Sequence, residues 1–355
     1  MKDLTVIGID IAKNVLQLHG ANEKGKVLLK KRISRENFLA FMANVPRCLI
    51  GMEACGGSHY WAKELTQLGF TVKLMSPHKV KKYLDHDKND AKDAQACAEA
   101  VSRTSMQFVP MKTKEQMDIQ AIHRIRSYYT KQRTGLSNMI RGLLLEIGIA
   151  IAQGKSALIH KMRELLDPEN PRLDEQMKQV FQKLYEDLKQ LDERITDYTV
   201  KLEDIAKGDE YCQRLRSIPG IGPMTATAVV AKIGNGSEFQ KGRELSAYLG
   251  LVPKQHSSGE KQVLLGISKH GDRYLRQLLI HGGRSSLKAA MRVNKKTNVF
   301  DKQDKHSRWM QKLVERVGMN KASVAVANKN ARMIVALLKK GTFYEAELAH
   351  TEVVG

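Results

Sequence analysis

Two aspartates three residues apart are the residues of this chain best placed to do chemistry. Asp90 and Asp93 lie in a run of helix-forming residues, Asp-Ala-Lys-Asp-Ala-Gln-Ala-Cys-Ala-Glu-Ala. Residues at positions i and i+3 share one face of a helix, so the two carboxylates point the same way and repel each other. A hard cation bound between them would turn that repulsion into binding.

Two more acids follow short apolar runs earlier in the chain. Asp10 ends Val-Ile-Gly-Ile-Asp, and Glu53 ends Cys-Leu-Ile-Gly-Met-Glu. Such runs predict buried strands. Each acid alone is more often a capping or solvated loop residue. The four acids together predict one metal site.

The elements that must position these acids follow from the hydrophobic pattern. Strands are predicted near residues 4–9, 15–19, 26–30, 48–52 and 70–75, and helices near 34–42, 59–68 and 90–100. Three strands in a meander, followed by strands that alternate with helices, predict a mixed sheet covered by helices, as in a ribonuclease-H-like domain. In that sheet Asp10 and Glu53 end adjacent central strands, and the helix of Asp90 and Asp93 lies across those ends.

The middle of the chain is predicted to be helical. Residues 115–148 carry an apolar stripe, and a Pro-containing break follows at 166–171. Beyond the break, apolar residues repeat at alternating spacings of four and three, which is a heptad seam. The seam favours a coiled coil for dimerisation or spacing, and equally an intramolecular hairpin with 115–148. Its residues are Met177, Phe181, Leu184, Leu188, Leu191, Ile195, Tyr198, Leu202 and Ile205.

Charge points to a polyanionic partner. The net charge is +21, and residues 239–340 hold 22 Lys and Arg against 6 Asp and Glu. A basic half of this size is typical of proteins that bind phosphate backbones. Solubility alone favours mixed charge, and a membrane surface favours a basic amphipathic helix, which we do not find. No apolar run approaches a membrane span and no signal peptide opens the chain, so we expect a cytoplasmic protein whose four scattered cysteines are reduced core residues.

The basic half contains glycine-rich turns. Ile-Pro-Gly220-Ile-Gly222 resembles a helix–hairpin–helix turn, in which glycines and helix-end amides hold a phosphate, although a plain packing turn is equally compatible. Ser257 and Ser258 precede a glycine among cations; a turn is the better interpretation of these residues alone, and a nucleophile the alternative. The predicted phosphate contacts are Lys254, Lys261, Lys269, Arg273 and Arg276.

With these motifs placed, the sequence resembles the DEDD-type insertion-sequence transposases of the one-ten family, the bridge-RNA-guided recombinases. The resemblance covers nearly the whole chain. Its N-terminal motifs are Gly-Ile-Asp10, Met-Glu53-Ala and Asn-Asp90-Ala-Lys-Asp93-Ala. Its C-terminal motifs are Ile-Pro-Gly-Ile-Gly, Tyr-Leu-Gly-Leu-Val-Pro, Ser-Gly, and Gly-Asp-Arg-Tyr-Leu-Arg, where Asp replaces the commoner Asn.

The resemblance implies a fold and a chemistry. It implies a RuvC-like domain whose acids Asp10, Glu53, Asp90 and Asp93 hold Mg²⁺, as a pair of ions. It also implies a catalytic serine that attacks a DNA phosphate and becomes covalently linked, and the Ser-Gly motif carries that role to Ser258. Implied partners are donor and target double-stranded DNA, a structured bridge RNA that selects both by base pairing, and further copies of the chain in a dimer or tetramer. The implied location is bacterial and nucleoid-associated.

The predicted organisation is therefore α/β plus all-α. Residues 1–112 form the RuvC-like domain, 113–207 the coiled coil or helical hairpin, and 208–355 a mostly helical DNA-binding domain with the helix–hairpin–helix-like turn and the serine. Two other functions stay open. One is a junction-resolving endonuclease that uses metal-activated water, with Ser258 only a turn residue. The other is a non-catalytic nucleic-acid-binding protein with a decayed site, against which the presence of all four acids argues.

Overall fold

A computed structural model describes residues 3–84, 89–256, 263–293, 300 and 304–345. The chain divides into two compact units, Met1–Thr113 and Lys114–Gly355. Each unit has hydrophobic clusters of its own.

The first unit is built on a six-stranded mixed sheet of order β3-β2-β1-β4-β5-β6. The strands β1 to β3 form an antiparallel meander, β1, β4 and β5 run parallel, and β6 is antiparallel to β5. A 3₁₀ turn, Lys81–Tyr83, precedes the last helix. The elements in chain order are β1 Val6–Ile11, β2 Val15–Ala21, β3 Val27–Ser34, α1 Arg35–Ala43, β4 Leu49–Glu53, α2 Ser58–Gln67, β5 Thr71–Met75, α3 Pro77–Val80, α4 Asp90–Val101 and β6 Phe108–Val109.

Helices cover both faces of this sheet. On one face, Phe38 of α1 and Trp61 of α2 pack edge to face with ring centroids 5.1 Å apart, in the same apolar cluster as Ile7 and Ile9 of β1. On the other face, Cys97 and other residues of α4 form a second cluster. Burial on both faces explains why β1 reads as a continuous apolar run, and it makes β1 a central strand.

The second unit is mostly helical. Its α12 is interrupted at Gly318, whose φ of 76° is not helical. A two-stranded antiparallel hairpin, β7 with β8, precedes α11. The elements are α5 Lys114–Glu146, α6 Lys155–Leu165, α7 Glu175–Gly208, α8 Glu210–Arg216, α9 Pro223–Ile233, α10 Gly242–Tyr248, β7 Pro253–Gln255, β8 Leu264–Ile267, α11 Arg273–Ala290 and α12 Lys305–Lys340.

The predicted heptad seam lies on α7, which packs against α5 of the same chain. Tyr129 of α5 stacks on Tyr198 of α7, with ring centroids 6.0 Å apart. The Nε of Arg126 donates a hydrogen bond to Thr199 Oγ1 at 2.7 Å. The intramolecular hairpin is thus present within the described chain, and a coiled coil with a second copy stays a prediction.

The mixed α/β architecture with its six-stranded sheet is consistent with the expected RuvC-like fold. The strand β6, which is only two residues long, was not predicted from sequence. The three-domain boundaries and the helix–hairpin–helix-like turn stay predictions. Cys97 and Cys212 are buried as expected, but Cys55 is exposed. Among the described helices, none has the length and apolar character that crossing a membrane requires.

Candidate metal centre and nucleic-acid-binding residues

Two acids end neighbouring parallel strands. Asp10 lies near the end of β1, and Glu53 is the last residue of β4. These strands pair in register, with Gly8 opposite Gly51. Because the carboxyl ends of parallel strands meet at one edge of a sheet, Asp10 and Glu53 emerge at the same edge. Both side chains are half-buried there.

Two glycines bring α4 onto this part of the sheet. Gly8 and Gly51 each stand two residues before an acid, so glycine and acid face the same side of the strand. A Cβ atom on Gly8 would overlap the carbonyl oxygen of Ala94 and the amide of Ala98 in α4. A Cβ atom on Gly51 would lie 2.7 Å from the carbonyl oxygen of Cys97. Glycine is therefore required for the close approach of helix and sheet.

The start of α4 carries the other two acids to the strand ends. Asn89 caps the helix, its Oδ1 accepting a hydrogen bond from the amide of Ala91 at 3.1 Å. Asp90 and Asp93 follow in the first turn, where the helix dipole favours negative charge. One carboxylate oxygen from each of Asp10, Asp90 and Asp93 lies within 4.8 Å of the others.

Glu53 lies close enough to these carboxylates for their negative charge to affect its ionisation. Burial raises the pKa of its carboxyl group, and the carboxylates of Asp10 and Asp93 raise it further, while Lys81 lowers it. Like charges gathered at this range disfavour ionisation unless a cation joins them. A hard divalent cation suits an all-carboxylate set, so Asp10, Asp90 and Asp93, with Glu53 beside them, fit such a metal. Lys81 was not predicted from sequence, and its place in a short turn left no signal that would have found it.

The predicted phosphate contacts lie in the second unit and differ in exposure. Lys254 on β7, Lys269 in the loop after β8, and Arg273 at the start of α11 are exposed. Ser258 and Lys261 lie outside the described residues. Exposed cations such as these can reach a phosphate backbone.

Gly220 packs closely against another part of the second unit. Its φ is 87°, and a Cβ atom there would overlap the carbonyl oxygen of Gly282 on α11. The backbone of α11 thus approaches Gly220 closely, and Gly282 on that helix is equally closely packed. The predicted phosphate contact of Gly220 stays a prediction. Gly222 is the N-cap of α9, and a Cβ atom on it would meet no described atom within 4 Å, so the helix end beside it remains a candidate phosphate site.

Arg276 also serves the fold. It is 8% exposed, and its Nη1 donates to the carbonyl oxygens of Leu249 and His270 at 3.0 and 3.1 Å. It joins the two loops that flank the β7–β8 hairpin. These contacts give Arg276 a role within the fold, and its predicted contact with a phosphate stays a prediction.

Comparison with known proteins supplies the family. The model described as "Transposase IS116/IS110/IS902 family" matches residues 212–298, and a model of DEDD IS110 proteins described as "Transposase" matches residues 7–149. The chain is 46% identical to a transposase for insertion sequence element IS1111A of Coxiella burnetii, over 97% of this chain and 92% of that protein.

Two further relatives agree. A probable family 20 transposase of Pseudomonas aeruginosa is 43% identical, over 96% of this chain and 99% of that protein. A transposase for IS1328 of Yersinia enterocolitica is 36% identical, over 97% and 99%. The DEDD family implies that a divalent metal is used, and the acidic cluster of the first unit fits one. This chain belongs to the IS110 family of DEDD transposases, which cleave and recombine DNA.

Proposed function

We propose that this transposase uses Asp10, Glu53, Asp90 and Asp93 to hold two Mg²⁺ ions at the DNA strand that it cleaves. The observation that carries the proposal is the meeting of three aspartate carboxylates within 4.8 Å, brought from β1 and α4. When bound, a pair of such ions activates the attacking oxygen and stabilises the leaving one. The fold contributes the placement of the acids, because the lack of a side chain at Gly8 and Gly51 lets α4 lie directly against the sheet.

We infer that Ser258 is the nucleophile. Its hydroxyl would lose a proton, its Oγ would form an ester bond to a DNA phosphorus, and a deoxyribose oxygen would leave as a hydroxyl. The ester between serine and phosphate conserves the free energy of the broken phosphodiester bond. The hydroxyl of a second DNA end can therefore attack this phosphorus, release the serine and complete strand exchange. Support comes from the Ser-Gly motif of the resemblance, and from described cations nearby in sequence, Lys254 and Lys269, which are exposed.

We infer further that a structured bridge RNA selects donor and target. The excess of 16 positive charges in residues 239–340 supports binding of several phosphate backbones. A protein that delegates sequence choice to base pairing needs shape and charge more than base-reading side chains. A dimer or tetramer would bring several DNA ends together. The α7 seam packs on α5, so contact with a second copy would use the outer faces of this hairpin.

A denaturing gel tests the chemistry. Labelled donor and target DNA are incubated with protein, Mg²⁺ and RNA transcribed from the element, for wild type, Ser258→Ala, Asp10→Asn and the neighbouring control Ser257→Ala. We expect a protease-sensitive slow band for wild type and Ser257→Ala only. Loss of a metal ligand should slow cleavage on the order of 10²–10³-fold, the effect of several kcal/mol.

Two outcomes would contradict the proposal. Cleavage by Ser258→Ala without the slow band would leave a nuclease that uses water. Full cleavage by Asp10→Asn would remove the acidic cluster from the mechanism. Omitting the RNA tests guidance separately, since recombination should then fail.

A further inference from the structure

One side of α12, before its break at Gly318, carries four exposed cations, and we call it the basic face. Spacings of three, four and four place these cations on one side of the helix. The opposite side is buried, since Met310 and Leu313 lie in one apolar cluster with Leu287 of α11. The residues of the basic face are Lys305, Arg308, Lys312 and Arg316.

The cations of the basic face are not matched by acids. Elsewhere in the second unit, two exposed helical lysines each pair with an acid one turn away: Lys114 with Asp118 at 3.2 Å, and Lys207 with Asp204 at 2.9 Å. Within the described ranges, no side chain of the basic face forms an ion pair. Solubility does not explain such a face, because mixed charge serves solubility equally well.

Two acids lie close to the basic face in sequence. Asp304 caps α12, and its carboxylate accepts hydrogen bonds from the amide and the hydroxyl of Ser307 at 2.9 and 2.6 Å. Ser307 is buried, so this carboxylate is directed away from the exposed cations. Glu315 is exposed beside Arg316, and it is the one acid of residues 305–316. The basic face therefore keeps a clear excess of positive charge.

This arrangement lowers the stability of the helix. Arg308, Lys312 and Arg316 follow one another at positions i and i+4, where like charges repel. Lys305 is the first residue of α12, where the positive end of the helix dipole disfavours a cation. Charges that repel one another and the helix end do not serve the fold, so they indicate a surface for an anionic partner.

A fifth cation lies at the edge of the basic face. The Nζ atom of Lys329, on the part of α12 beyond the break, lies 4.3 Å from the ring centroid of Trp309. Trp309 follows Arg308 in sequence and is partly exposed. Burial, and then the charge of Arg332, lowers the pKa of Lys329, and no described carboxylate offsets these effects. The contact with the indole ring thus holds an ammonium group without a counter-charge beside the basic face.

The length and chemistry of the basic face suit a duplex backbone. At about 1.5 Å per residue, Lys305 and Arg316 are about 17 Å apart along the helix, the rise of about five nucleotides of one strand. Binding of unpaired bases depends on exposed aromatic rings. Trp309 is only partly exposed and has Lys329 over its ring, and His306 is buried. Contacts with phosphates are therefore favoured over stacking with bases.

We propose that the basic face, with Lys329 at its edge, binds the phosphate backbone of double-stranded DNA. DNA is the partner that the family supports, because its members recombine DNA. The basic face lies on a different element from the predicted phosphate contacts Lys254, Lys269 and Arg273, so it adds a further DNA contact to the second unit. The inference rests on the DNA-recombining activity of the family and on neither the metal centre nor Ser258.

The salt dependence of binding to a labelled DNA duplex of unselected sequence, measured in EDTA and without RNA, tests this. Each phosphate contact that is lost lowers the slope of log affinity against log salt by about 0.9. The triple variant Arg308→Gln, Lys312→Gln, Arg316→Gln should therefore lower the slope by about 2–3 and weaken binding on the order of 10²-fold at about 0.15 M salt. Lys329→Gln should lower the slope by about 1.

A second triple variant controls for net charge. Arg124→Gln, Lys131→Gln, Lys183→Gln removes the same charge from exposed positions of α5 and α7, and should lower the slope by less than about 1. Equal reductions in the two triple variants would mean that total charge, and not the basic face, determines binding, which would overturn the proposal.

Urea unfolding controls for damage to the fold. The triple variant of the basic face removes charges that repel one another, so it should unfold at the same urea concentration as wild type or at a higher one. A lower unfolding midpoint would show that these cations stabilise the fold, and would overturn the proposal.

A duplex RNA of the same sequence separates the two nucleic acids. A larger loss of slope with RNA than with DNA in the triple variant of the basic face would overturn the assignment to DNA. An unchanged slope for Lys329→Gln would remove Lys329 from the contact. These measurements need no cleavage, whereas the gel measures cleavage, so this proposal and the proposed chemistry can fail independently.

Discussion

The acidic cluster of the first unit contrasts with two buried polar side chains of the second. In the cluster, three aspartate carboxylates lie within 4.8 Å of one another, and the pKa of Glu53 is raised by burial and then by the charges of two of them. In the second unit, Arg276 is matched by two backbone carbonyls and His123 by two hydroxyl groups. A cluster whose internal interactions are repulsive indicates a binding site for a cation, whereas a matched buried group is explained by the fold.

The largest effect should come from changing how α4 meets the sheet. Gly8→Ala places a Cβ atom against the backbone of Ala94 and Ala98, which cannot yield as a side chain would. Overpacking typically costs about 1–3 kcal/mol, and a backbone clash belongs at the upper end. A displacement of about 1 Å in Asp90 and Asp93 should lower cleavage on the order of 10²-fold. Urea unfolding, Mg²⁺ titration calorimetry and the gel measure these effects.

A matched control lies in the same unit. Gly56 is exposed, and a Cβ atom there meets no described atom within 4 Å. Gly56→Ala should leave stability, Mg²⁺ binding and cleavage nearly unchanged. Normal Mg²⁺ binding by Gly8→Ala would show that the acids do not depend on the close approach of α4, and the explanation of the two glycines would be wrong.

Two arginines of α11 allow a buried, hydrogen-bonded cation to be compared with an exposed one. Arg276→Gln leaves the carbonyls of Leu249 and His270 without their donor, which should cost about 2–3 kcal/mol of unfolding free energy. Arg273→Gln, three residues earlier and exposed, should change stability by less than about 0.5 kcal/mol. It should instead weaken DNA binding and reduce the salt-dependence slope by about 1.

Urea unfolding and salt-dependent DNA affinity, measured on both variants, give two independent readouts. If Arg276→Gln kept wild-type stability but lost DNA affinity with a reduced salt slope, the phosphate contact predicted from sequence would be correct. Equal stability losses in the two variants would mean that exposure does not separate their roles.

Sequence predicted the parts of this molecule that depend on local pattern. Apolar runs gave β1, β4 and β5, and the spacing of Asp90 and Asp93 gave a shared helix face. The role of Arg276 depends on Leu249, 27 residues away, and that of Gly220 on Gly282. Residue type alone does not reveal such partners, because an arginine that binds a phosphate and one that binds carbonyls look the same in a sequence.

The glycines of the metal centre show the same limit. The Gly-x-acid pattern of Gly8 and Gly51 was available in the sequence as part of two motifs. Period-two alternation says that glycine and acid share a face, but it does not say that a helix lies there. The packing of α4 supplies that reason. The two-residue β6 had too few residues to produce a periodic signal.

The smallest effect concerns His123 and its pH dependence. Thr227 Oγ1 donates to the carbonyl of Pro223, so it accepts from His123 Nε2, and Nδ1 then accepts from Tyr274 Oη. Burial first, and then Arg126, lowers the pKa of His123 from 6.5 to about 4. The folded state thus binds fewer protons than the unfolded state between pH 6.5 and 4. The contribution is fully present above pH 6.5 and should be lost as pH falls, by about 2 kcal/mol at pH 5.

Comparing the pH dependence of unfolding free energy between variants separates the contribution of His123 from that of the other titrating residues. Glu238, whose pKa is raised by partial desolvation of its carboxyl group, gains protons on folding in an overlapping range and acts in the opposite direction. Urea unfolding at pH 7 and pH 5 should therefore be compared for wild type, His123→Gln and the exposed control His160→Gln. Wild type and His160→Gln should lose about 2 kcal/mol more than His123→Gln over this range, because only they carry the buried imidazole. Equal losses in all three would mean that His123 is protonated as readily in the folded as in the unfolded chain. The explanation of His123 as a neutral residue matched by two hydroxyl groups would then be wrong.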